Sequence, residues 1–132
     1  GACTGTAAVA LDDRIKAAII ADGAADFNMI FQNSDYGSVM EIKEFMKANN
    51  ISQEKLWEKF VYVDPVTFAP HIEKPILLEN GKTDTTMTPA AMQKLHEIIP
   101  SKDKKIIWYN SGHILPFDKV IYDSLKWMKT KL

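Results

Sequence analysis

Residues 75–112 read PILLENGKTDTTMTPAAMQKLHEIIPSKDKKIIWYNSG, and this stretch decides the fold. PILLENG (75–81) predicts a strand ended by glycine. TPAAMQKLHEII (88–99) carries apolar residues at helical spacing, with Thr88 as N-cap and Pro89 at the first helical position. KKIIWYNSG (104–112) predicts another strand. Parallel neighbours need a crossover between them, so strand, helix, strand at this spacing is the unit of a parallel sheet.

The alternation continues outward from this unit. TAAVAL (6–11) predicts a short helix ending at Asp12-Asp13, and AAIIADG (17–23) predicts a first buried strand. Residues 24–37 mix Asn, Ser, Asp and Gly and read mostly as loop. From 38 to 48, Val39, Ile42, Phe45 and Met46 fall at helical spacing until Asn49-Asn50 stops them. Ser52 caps a further helix, QEKLWEKF (53–60). DPVTFAPHIEKP (64–75) carries three prolines and reads as a segment crossing the fold. PFDKVIYDSLKWMKTKL (116–132) predicts a terminal amphipathic helix. The expected fold class is α/β: three parallel strands flanked by helices, one domain over residues 1–132, with 24–63 a cap or helical insertion. The first helix has no strand before it, whereas in doubly wound folds such a helix links two strands. The reading therefore places the start of the chain in mid-fold.

Composition sets outer bounds. The 132 residues are 46% hydrophobic and 25% charged, as in an ordinary globular domain. A formal net charge of -1 offers no electrostatic footprint for nucleic acid or an anionic membrane surface. The longest apolar runs are far shorter than a bilayer span. The lone Cys3 allows no internal disulfide and suits a reducing compartment, so a cytoplasmic location is expected.

Reactive groups of parallel sheets gather where strands end, at the carboxyl edge. Asp84 follows the second strand and His113 follows the third, in NSGHILP (110–116). Cys3 sits in GACTGT (1–6), in the turn before the first helix. Nucleophile, acid and histidine thus arrive in that order. A thiol attacks only as thiolate, and here the imidazole of His113 and a helix N-terminus favour that form. Asp84 would fix the tautomer of His113. The glycines at 1 and 5 suit a sharp turn, and the backbone N–H of Thr4 is one oxyanion donor. Each residue also has an ordinary reading. A free cysteine is usually apolar filler; Asp84 serves a turn before a helix; His113 is a structural histidine after a glycine. His71 and His96 receive no role. No cofactor and no metal is implied, because no two potential ligands stand at a paired ligand spacing. Trp108 and Tyr109 read as core.

Order and context together separate these readings. The blocks GACTGT with LDDRIKAAIIADG (11–23), residues 64–100 and residues 104–132 resemble the C-terminal half of an α/β-hydrolase, of the dienelactone-hydrolase-like and acyl-esterase branch. The resemblance implies Cys3 as nucleophile, Asp84 as acid and His113 as base, acting on an ester, lactone or thioester through an acyl-enzyme. Serine is usual at the first position, and the dienelactone hydrolases resemble this chain in carrying cysteine. Thr6 stands where the family often has glycine. The family's N-terminal half supplies further strands and a second oxyanion donor, so a second polypeptide or dimer mate is expected to complete the sheet. Two alternatives remain. One is an inert hydrolase-derived module that uses its sheet edge as an interface. The other is a complete flavodoxin-like domain, in which the Cys, Asp, His order is accidental.

Overall fold

The computed structural model describes residues 1–131. Three parallel strands, β1 (Ala18–Ala21), β2 (Ile76–Gly81) and β3 (Lys104–Tyr109), form one sheet in the order β1-β2-β3. Ala18 pairs with Ile76, and Ile76 in turn with Lys104. Every residue of the central strand β2 is buried, the apolar Ile76, Leu77 and Leu78 and the polar Glu79 and Asn80 alike. Among the described residues no helix is long and apolar enough to cross a membrane.

The two faces of the sheet are covered differently. Ile20, Ile76 and Leu78 point to one face, where they meet Val9 of α1 (Ala2–Leu11) and Leu95 of α6 (Pro89–Ile98). Lys74 closes the end of α1 by donating to the carbonyls of Val9 and Asp12 at 2.9 and 2.7 Å. Lys104 does the same for α6 through the carbonyls of His96 and Ile99. On the opposite face lies α7 (Phe117–Met128). A buried polar knot joins it to the sheet: Tyr109 and Ser124 hydroxyls donate to the Glu79 carboxylate at 2.7 and 2.6 Å. Phe117, Ile121, Leu125 and Met128, spaced every third or fourth residue, form an apolar stripe on α7 that faces outward.

Between β1 and β2 the chain builds α2 (Phe27–Asn33), α3 (Gly37–Ala48), α4 (Gln53–Phe60), α5 (Pro65–Phe68) and a 3-10 turn at Ala69–His71. The expected helices over 38–48 and 53–60 are present, the latter with Ser52 accepting from the Lys55 N–H at 3.4 Å. The loop expected over 24–37 instead contains α2. Its start is organised from a distance: the buried Asp64 carboxylate accepts from the N–H groups of Asp26 and Phe27 at 3.1 and 2.6 Å. A tertiary partner thus stabilises a helix of seven residues, too short to announce itself. The crossing segment 64–75 holds α5, entered through Asp64 and Pro65. Thr88 stands at the N-cap of α6 as expected, although its side chain makes no capping bond.

Candidate active site

The carboxyl ends of β2 and β3 are joined into one rim. Beyond the strands, the Lys82 N–H donates to the Tyr109 carbonyl at 2.9 Å and the Thr83 N–H to the Ser111 carbonyl at 3.0 Å. Gly81 permits this approach. A Cβ at that position would lie 2.2 Å from the Gly112 carbonyl oxygen and 2.7 Å from that of Ser111. Only glycine fits.

This rim delivers Asp84 and His113 to each other. Asp84 is 2% exposed, and its Oδ1 accepts from the N–H groups of Thr86 and Met87 at 2.7 and 3.0 Å. Its Oδ2 lies 2.8 Å from Nδ1 of His113. An ionised carboxylate can only accept, so Nδ1 carries the hydrogen and Nε2 is left free as a base. The acid and the histidine expected from the sequence are therefore hydrogen-bonded partners.

Cys3 reaches the same place by another route. A cavity of about 310 Å³ is lined by Gly1, Ala2, Cys3, Ala21, Asp22, Met87 and His113. Cys3 and His113 thus line one space at the rim, while the cluster of polar atoms within 4.8 Å of one another there does not include Cys3. The expected turn is corrected in one respect: α1 begins at Ala2, so Cys3 lies in the first turn of the helix rather than before it. The helix extends this far because Gly1 already serves as its N-cap and the Gly5 N–H bonds to the Gly1 carbonyl at 2.9 Å. That bond leaves the N–H groups of residues 2–4, Thr4 included, without acceptors inside the helix. Thr4 does not line the cavity itself. The glycines act differently from the expectation too. None of the described glycines has a left-handed φ. Gly5 instead lets α1 approach β1, where a Cβ would meet Ile20 Cδ1 at 3.0 Å.

Burial pushes the Cys3 thiol above its ordinary pKa, and the Asp64 carboxylate adds to this. The sulfur is not a thiolate by its own surroundings and needs a base.

Asp22 is a member of this site that the sequence reading passed over. It follows β1 directly and lines the cavity. Asp22, Asp84 and His113 each bring one polar side-chain atom within 4.8 Å of the others. Burial raises the Asp22 carboxyl to about 6, with Asp84 raising it further and His113 opposing. The trio does not read as a metal centre, because Nδ1 is occupied by Asp84 and Asp84 Oδ1 by two backbone donors. It reads as a proton-handling cluster. The one available signal was position: an acidic residue closing a buried strand falls at the carboxyl edge.

A second cavity adjoins the first. It measures about 150 Å³, has an entirely apolar lining, and is walled by Phe27, Ile30, Phe31, Val39, Ile42, Trp57, Phe60 and Met87. Met87 belongs to both walls. Phe31 and Trp57 meet edge to face, as do Phe27 and Phe60. His71 and His96 lie outside both cavities.

The model of the serine hydrolase (FSH1) family matches residues 13–125. The chain belongs to that family. Cys3 stands upstream of the matched span. Among solved structures, the chain is similar to an acetyl xylan esterase from Paenibacillus, with a TM-score of 0.88 and 21% identity over 99% of this chain and 42% of that one. It is also similar to acetyl xylan esterase 1 from Thermoanaerobacterium, with a TM-score of 0.75 and 21% identity over 93% of this chain and 41% of that one. A Pyrococcus horikoshii acylaminoacyl peptidase matches with a TM-score of 0.72 and 19% identity, over 95% of this chain and 22% of that one. These likenesses establish the α/β-hydrolase fold and bear out the expected parallel three-stranded portion of it. This family member spans less than half the length of each of these neighbours. A search of curated protein sequences found no match.

Proposed function

We propose that the chain carries the nucleophile, acid and base of a carboxylic ester hydrolase, with Cys3, Asp84 and His113 in those roles. The observation that carries this reading is the 2.8 Å bond from His113 Nδ1 to Asp84, with Cys3 on the wall of the same cavity. His113 Nε2 takes the proton from Cys3 Sγ as the sulfur attacks the carbonyl carbon of an ester, lactone or thioester. The same proton then passes to the departing oxygen or sulfur, leaving a thioester on Cys3. Water, deprotonated by His113, attacks that thioester; the acid leaves and the thiol returns. The Thr4 N–H is the proposed donor to the tetrahedral oxygen, a role worth on the order of 3 kcal/mol in comparable sites. The apolar cavity beside Met87 supports a substrate with an apolar group on one side of the carbonyl. A cavity of about this volume lined by apolar side chains accepts a molecule the size of benzene.

The test uses aryl esters of increasing acyl length, with the acylated Cys3 peptide identified by mass after rapid quench. Hydrolysis lost in Cys3→Ala and His113→Ala, together with a mass adduct on Cys3, supports the reading. Equal background rates in all three proteins sink it. In that event the second reading stands: an inert module that binds a second polypeptide or another copy. The outward apolar stripe of Phe117, Ile121, Leu125 and Met128 favours that reading. Size-exclusion with light scattering checks it, since Ile121→Glu would convert an assembly to monomer.

A further inference from the structure

We infer that Asp22 is a positioning residue, a second carboxylate beside His113 that favours the imidazolium formed when Nε2 takes the proton of Cys3. The inference rests on the proposed triad and adds to it a fourth group.

Three observations converge on this residue. Its backbone lies in the left-handed region at φ 51, outside the glycine positions where that conformation costs nothing. The Asp22 N–H is held on the Glu79 carbonyl at 2.9 Å, which fixes the residue at the end of β1. Aspartate is among the few residues besides glycine that adopt this conformation readily, so the turn holds its side chain at the end of β1. Next, Asp22 Oδ1 is buried and has no hydrogen-bond partner. A carboxylate oxygen withdrawn from water without a donor is costly and marks a group waiting for one. Finally, the neighbours close enough to answer it are Asp84 and His113, within 4.8 Å. Of these, only the imidazole can supply positive charge.

The chemistry explains why such a group is useful here. Asp84 alone orients the ring. Cys3, however, is half-buried and its thiol is harder to ionise than a free one. A reluctant acid calls for a stronger base, and a second negative charge near the ring makes Nε2 more basic. Asp22 therefore works on the acceptor of the proton. Asp64 acts instead on the donor, where it favours the protonated sulfur. The titratable side chains at this rim, among the described residues, are thus Asp22 after β1, Asp84 after β2, His113 after β3, Cys3 on α1, and Asp64 at the start of α5. Only Asp22 and Asp84 come within 4.8 Å of the imidazole in this cluster.

The experiment follows the His113 ring by proton–carbon NMR through a pH titration of the whole chain. It compares the parent with Asp22→Asn, which tolerates the left-handed backbone, and with Asp22→Ser. His71 and His96 serve as internal references. The expected result is a His113 midpoint lowered by about one unit in both variants, with the other two curves unmoved. A His113 curve superimposable on the parent's overturns the inference. So does a shift common to all three histidines in both variants, since that reports an altered fold. No turnover is needed for this readout. Absence of ester hydrolysis would therefore remove the proposed reaction while the titration still decides the role of Asp22.

Discussion

The two halves of the candidate site are built to different standards. The acid and the histidine are embedded: Asp84 is buried with three hydrogen bonds, and the loops that carry the pair are zipped together across Gly81. The proposed nucleophile is merely placed. Cys3 is the second residue of a helix whose N-cap offers no side-chain bond, and its environment keeps the proton on sulfur. Under the proposed reaction, the difference teaches where activation would come from. A preorganised imidazole can wait in one tautomer, and the sulfur would become reactive only when that imidazole accepts its proton. In that proposal geometry is invested in the base, and the thiol is driven by it.

The contrast can be broken most severely at its two reacting atoms. Cys3→Ala and His113→Ala are each expected to lower ester hydrolysis by roughly a thousandfold or more, with unchanged circular dichroism. Asp84→Asn should follow closely, by about a hundredfold to ten-thousandfold, because the tautomer is no longer enforced. Steady-state rates on one aryl ester order the three.

Breaking the zipper instead of the chemistry gives the next effect. Gly81→Ala forces a Cβ into the Gly112 carbonyl. Overpacking of this kind costs about 1–3 kcal/mol or more, so urea denaturation should show a clear loss of stability. His113 would be displaced as well. A variant that keeps both stability and the His113–Asp84 NMR signature would show that the close approach is dispensable.

The dependence of sulfur on imidazole is sharpened by alkylation. Because burial raises the Cys3 pKa, a thiol left to itself reacts with iodoacetamide only toward alkaline pH. In the parent, reactivity should extend to lower pH, and His113→Ala should push the profile back up. Coincident profiles would mean that the two groups do not exchange a proton.

The smallest effect concerns Asp22 and stability. Its folded pKa, about 6, lies above the ordinary value of 3.8 that an unfolded chain shows. Between those values the folded chain binds more protons than the unfolded one, so stability falls as pH rises through that window. The cost is complete above it and absent below it. Asp22→Asn should therefore raise Tm by about 2–4 °C at pH 8, a value discounted for partial exposure. The gain should disappear near pH 4 in calorimetry. A constant gain at all pH values would place the cause outside ionisation.

Much of this molecule was legible before any coordinates. The strands at 76–81 and 104–109 and the helices at 37–48, 53–60 and 89–98 follow from local pattern, since each carries its own apolar period and stop signals. The carboxyl-edge rule placed Asp84 and His113 together. What escaped detection depended on partners far away in the chain. α2 begins where it does because Asp64 accepts its first N–H groups. Gly5 matters because Ile20 packs beneath it, and Gly81 because Gly112 passes over it. Asp22 looked like the polar end of a strand until two other loops arrived beside it.

Sequence alone therefore determined the α/β alternation, the parallel sheet and the identity of the three candidate groups, because periodicity, caps and residue order are properties of neighbours along the chain. Tertiary structure decided the rest: which tautomer His113 holds, how reluctant the Cys3 thiol is, and that a further carboxyl group, Asp22, stands beside Asp84 and His113. Those are matters of burial and distance, and both are set only when segments remote in sequence close on one another.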